Sequence, residues 1–67
     1  MGNLEQRVLR KGIDKVDSYM ISLGFQSCLI GPDRKVTYCN NPRLNDISVV
    51  FSEKGRAKEV IRENSKI

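Results

Sequence analysis

The chain has 67 residues, 12 Lys and Arg against 8 Asp and Glu, no histidine and two cysteines. That length makes a single domain, residues 1–67, with a thin core, because such a chain buries only about 60% of the surface its unfolded form exposes. Without histidine, Cys28 and Cys39 fall short of a zinc ligand set, and two cysteines do not make the multi-bridge framework of a small secreted scaffold. Neither metal nor cofactor is expected. The opening residues lack the basic and apolar leader of a secretory signal, and no apolar run approaches the roughly 20 residues of a membrane span. A reducing, cytoplasmic setting is the expectation.

In chain order, Asn3 can cap a helix, with Gln6 three residues on in the capping-box position. Val8, Leu9, Ile13, Val16, Tyr19, Met20 and Leu23 then fall on one broad helical face. Arg7, Arg10, Asp14, Asp17 and Ser18 fall on the other. Gly24 supplies the residue just past the helix end, and Phe25 is placed to fold back on Met20. Gly12 interrupts the apolar face at up to ~1 kcal/mol of helix propensity, which points to a close approach of the sheet or another helix there. Phe25 to Ile30 and Lys35 to Asn40 read as two strands joined by the turn Gly31-Pro32-Asp33-Arg34. A longer connection through Asn40, Asn41, Pro42, Asn45 and Asp46 leads to a third strand, Ile47 to Phe51. Ser52 is then placed to cap a second helix from about Glu53 to Asn64, with Ala57, Val60 and Ile61 as its narrow buried stripe. Ser65 to Ile67 are expected to fray. The sum is an α/β (α+β) domain in α-β-β-β-α order: a three-stranded antiparallel sheet with two helices packed on one face.

Catalysis finds little support. The commonest general base is missing, no Gly-rich phosphate loop is present, and the carboxylate pairs Asp14/Asp17 and Glu59/Glu63 lie within reach of arginines as solvated helix faces do. A non-enzymatic binding protein is therefore expected. On the second helix Lys54, Lys58 and Arg62 recur every four residues and stack in one stripe, flanked by Arg56. Arg34 and Lys35 project from the first hairpin. These six residues are the candidate contacts to an RNA or DNA backbone. Few aromatics accompany them, so base stacking is poorly supplied.

The strands carry apolar side chains on both faces, and two helices on one side leave the other uncovered. If the first turn closes as a four-residue loop, Cys28 faces Thr37 and shares a face with Cys39. A one-residue change of register puts the two cysteines on opposite faces. Neither register favours a disulfide, and both thiols read as buried or half-buried apolar residues. Cys28, Ile30, Thr37 and Cys39 then form a spare sheet face. It would serve as a homodimer contact or as the docking surface of a small inhibitor or adaptor of the stand-alone kind common in phages and mobile elements. Such a protein would bind and inhibit or modulate a larger, acidic-surfaced host protein, through this face or through its charged helix faces.

The element order, the Gly31-Pro32-Asp33 turn and Ser52-Glu53-Lys54 with Ala57-Lys58 are similar to a double-stranded-RNA-binding domain. The likeness lies in order and short strings. Glu53 stands where that family usually has lysine, and the glycine-rich lead-in and the hairpin histidine are missing. What it implies is that the hairpin loop and the start of the last helix touch RNA phosphates.

Overall fold

The computed structural model describes residues 3–63. It contains α1 (Leu4–Val8), α2 (Ile13–Ser22), β1 (Ser27–Ile30), β2 (Lys35–Cys39), β3 (Ile47–Phe51) and β4 (Ala57–Arg62). The class is α+β and the sheet is an antiparallel meander in the order β1-β2-β3-β4. Two expectations about its elements are corrected.

The first helix is two helices. Leu9 is extended, Arg10 takes φ 72°, and Gly12 begins α2. The break is stabilised by backbone pairing with the sheet: Arg10 N–H donates to Ala57 O at 2.7 Å, and Ala57 N–H donates to Lys11 O at 2.9 Å. Gly12 bridges Arg56. The sheet does approach at Gly12, but no atom lies within 4 Å of where its Cβ would stand. The approach is a hydrogen-bonding one, not a steric demand for glycine. It divides the expected apolar face, so that Val8, Val16 and Met20 are fully buried while Ile13 is left 44% exposed. Asn3 precedes α1 without a side-chain cap bond.

The end of α2 matches expectation. Gly24 takes φ 110°, Phe25 N–H donates to Met20 O at 3.2 Å and Gly24 N–H to Ile21 O at 3.0 Å. This pair of bonds is a Schellman motif, and buried Phe25 beside buried Met20 supplies its apolar contact. Because Phe25 completes the cap, β1 starts at Ser27 instead.

The second helix is a strand. Ser52 Oγ accepts the N–H groups of Lys54 and Arg56 at 3.3 Å each, much as a helix cap would. Gly55, at φ 80°, instead turns the chain back, and Ser52 N–H closes the loop onto Arg56 O at 2.7 Å. This is a three-residue hairpin with glycine at the left-handed position. The apparent helical stripe has a physical cause. Phe51 pairs with Ala57 while Val50 pairs with Glu59, so Lys58 is an extra residue, a β-bulge. The bulge brings Ala57 and Val60, three apart, onto the same face and mimics helical spacing; both pack on the core. Asn64 and the residues expected to fray lie outside the described residues. With the last element a strand, the likeness to a double-stranded-RNA-binding domain does not hold.

A Gly55→Ala variant isolates the backbone cost of that turn. Nothing lies within 4 Å of the added Cβ, so only the left-handed conformation is penalised, by about 1–2 kcal/mol. Urea denaturation should show this loss with an unchanged slope.

The first turn joins the two strands where expected but closes as Pro32–Lys35, one residue later than Gly31–Arg34. Asp33 and Arg34 take φ 58° and 59°, and Lys35 N–H donates to Pro32 O at 3.2 Å, as in a type I′ turn. The resulting register pairs Cys28 with Tyr38, Leu29 with Thr37 and Ser27 with Cys39. The cysteines are therefore on opposite faces, and both are free thiols.

One face of the sheet, carrying Val36, Tyr38, Ile47, Val49, Phe51 and Ala57, forms a single core with Leu4, Val8, Val16, Met20 and Phe25. Both helices thus pack on one side. Tyr38 donates a hydrogen bond to Asp17 of α2, and its ring meets Phe25 edge-on at 6.2 Å. Burial, reinforced by that carboxylate, pushes the Tyr38 phenol far above its ordinary range. On the opposite face Leu29, Thr37, Ser48 and Ile61 form a row. Ser48 is fully buried and is satisfied by Thr37 Oγ1 at 2.7 Å and Glu63 at 3.3 Å. Leu44, in the loop between β2 and β3, is 39% exposed.

Candidate functional site

The break between the helices decides where the positive charge collects. Pairing of Arg10–Gly12 with Arg56–Ala57 brings the interhelix link beside the β3–β4 turn. An open cleft of about 530 Å³ lies there, lined by Arg10, Lys11, Lys15, Lys54 and Arg56, with Asp14 the one carboxylate among its charged groups. The Arg56 guanidinium donates to Arg10 O at 3.4 Å, which ties the two segments together. Lys54 also lines a neighbouring depression with Arg34, Lys58, Ser52 and Glu53. Arg34 O accepts Phe51 N–H at 2.9 Å, which sets the first hairpin tip at this same end.

Seven cations therefore face two carboxylates across adjoining concavities. Among the described residues none of the seven forms an ion pair. α2 also begins here, with no side-chain cap at Gly12, so its first N–H groups add positive potential. Uncompensated cations in a concave surface focus the field on an anionic partner.

Of the six basic residues singled out from the sequence, four converge here: Lys54, Lys58, Arg56 and Arg34. They do so on a turn, a bulge and a hairpin tip, not as a helical stripe. Lys35 lies on the open sheet face, opposite Val50, and lines neither concavity. Arg62 is at the far end of β4 and is engaged by α1: Nε to Glu5 Oε2 at 3.0 Å and a second bond to Oε1 at 3.2 Å. Arg10, Lys11 and Lys15 were missed because a continuous helix would scatter them around its circumference. The glycine at position 12 was the available signal.

The Glu5–Arg62 pair predicts a modest pH effect. The hydrogen bonds from Arg62 hold the Glu5 carboxyl below its ordinary value and raise that of Arg62. Stability from Glu5 is fully present above the unfolded carboxyl pKa near 4.3 and is lost as pH falls through the lower folded value. Both side chains are more than 40% exposed, so the contribution is under about 1 kcal/mol. Arg62→Ala should lower stability by that amount at neutral pH, with the difference vanishing in acid, and should leave anion binding unchanged.

The expected spare face is divided by the register. Thr37 and Cys39 are on the open side, while Cys28 and Ile30 share the helix side with Tyr38 and Val36. Both are nevertheless exposed, Ile30 by 81%. Cys28 is thus not the half-buried residue expected.

Among the described residues no group of His, Cys, Asp or Glu is placed to hold a metal ion, and no helix is long and apolar enough to cross a membrane. The fold defines an α+β domain with both helices on one face of the sheet and a basic cluster at one end. Compared with protein-family models, curated proteins and solved structures, the chain matches none.

Proposed function

We propose that this domain is a non-enzymatic nucleic-acid-binding module that grips the phosphate backbone with its basic end. The observation that carries this is the convergence of Arg10, Lys11, Lys15, Lys54 and Arg56 around one cleft, with no ion pair to any of them among the described residues. Neither concavity contains an aromatic side chain. Base stacking is thus not supplied, and contacts to phosphate position a strand without reading its sequence. Binding should therefore be sequence-independent and steeply weakened by salt. Fluorescence anisotropy with labelled duplex and single-stranded oligonucleotides at low salt tests this. Saturable binding to unrelated sequences supports it; failure to bind either form at ~20 mM salt refutes it.

One observation favours a second function, docking on a larger protein: Leu29 and Ile30 are 65% and 81% exposed on β1. It predicts that oligonucleotides do not bind, and that Ile30→Asp abolishes capture of a protein partner from nuclease-treated lysate without unfolding the domain.

A further inference from the structure

The two edges of the sheet are treated differently. β4 carries Lys58, Glu59 and Arg62 and a bulge, and the backbone of Arg10–Gly12 pairs where it begins. These are the usual protections against strand addition. β1, at the other edge, has the sequence Ser-Cys-Leu-Ile, with every residue exposed. It has no charge, no proline and no bulge. Gly31 N–H donates to Lys35 O at 2.8 Å, and the register continues from there as Ile30 with Val36. By antiparallel alternation Leu29 hydrogen-bonds to β2, whereas the N–H and C=O of Cys28 and Ile30 point outward to the open edge.

We propose that β1 pairs with β1 of a second copy in a two-fold antiparallel dimer whose axis passes beside Leu29. Leu29 then meets the partner's Leu29 on the open face, and Cys28 and Ile30 each exchange both backbone bonds with the other's counterpart. The register is self-complementary and uses every outward backbone group between Cys28 and Ile30. It also suits the charge distribution. Each hairpin tip bearing Arg34 comes alongside the Gln26–Cys28 end of the other copy, where Asp17 is the one charged group among the described residues lining the surface. The two basic ends are carried to opposite extremes of the dimer. A four-residue contact is small, so association is weak, with half-dimerisation expected below ~1 mM.

Sedimentation equilibrium of the full chain should show a concentration-dependent rise from 7.6 kDa towards twice that mass. Ile30→Lys and Leu29→Lys, at exposed positions, should stay folded by circular dichroism and weaken association by at least about tenfold. Register is read in a Cys28→Ser, Cys39→Ser background with oxidised glutathione as oxidant. Leu29→Cys should form a covalent dimer, since the introduced thiols meet at the axis, and Ile30→Cys should not. A chain that stays monomeric at ~1 mM, a native-like dimer in both lysine variants, or cross-linking by Ile30→Cys and not Leu29→Cys overturns the proposal.

Discussion

A Lys54→Glu, Arg56→Glu variant is expected to bind a duplex oligonucleotide two to three decades more weakly than the native chain at low salt. Both side chains line the central cleft, and both stand on the exposed β3–β4 turn. An attraction of about 1 kcal/mol at contact in water is replaced by a repulsion of similar size at each site. The sum over two sites is about 4 kcal/mol, close to a thousandfold. The salt slope should fall too, by about 0.9 for each phosphate that is no longer neutralised. The fold should survive, because Ser52 Oγ holds the turn through the backbone N–H groups of these residues, not their side chains. The side-chain bond given up is the one at 3.4 Å from Arg56 to Arg10 O. Anisotropy titrations of the variant, with Arg62→Ala as the unaffected control, check this outcome.

Met20→Ala is expected to remove a large part of the domain's stability. Met20 is fully buried between the helix end and the sheet, and its carbonyl receives the N–H groups of Leu23 and Phe25. The backbone cap survives the substitution, but the Phe25 ring loses the surface it folds onto. Truncating a buried methionine costs about 2–5 kcal/mol, while a 67-residue domain holds only about 3–10 kcal/mol in total. Urea titration followed by circular dichroism should show a greatly lowered midpoint. A loss below about 1 kcal/mol, well short of the usual cost of such a truncation, would mean that Met20 is not central to the core.

How far the sequence revealed the fold depended on whether local pattern and long-range pairing agreed. The Gly24–Phe25 helix stop and strand Ile47–Phe51 follow from local chemistry and stand where that chemistry puts them, while the Gly31–Arg34 turn is in place but closes one residue later, as Pro32–Lys35. β4 did not, because Ser52 has the same hydrogen-bonding role in a cap and in a tight turn. The bulge at Lys58 also spaces Ala57 and Val60 as a helix would. Gly55 was the one residue whose left-handed backbone distinguishes the two. The break at Leu9–Gly12 was hidden for another reason: it is stabilised by hydrogen bonds to Ala57, more than 40 residues away. No local window contains that partner.

The candidate site inherits the same limits. Lys54, Arg56, Lys58 and Arg34 could be named as surface cations, but their common location depends on two hairpins and the interhelix link meeting at one end of the sheet. Arg10, Lys11 and Lys15 join them only because the first helix is broken. Arg62 leaves the set because β4 runs away from that end and delivers it to Glu5. The spare sheet face was misjudged by one residue of register, which moves a side chain from one face to the other.

The most direct measurement is amide chemical-shift mapping of the full chain titrated with an unlabelled duplex oligonucleotide at low salt. If the basic end is the binding site, the shifts concentrate in residues 10–15, 34 and 52–58, and are reversed by added salt. Shifts confined to β1 or to residues 40–46, or no shifts at all, would contradict the account.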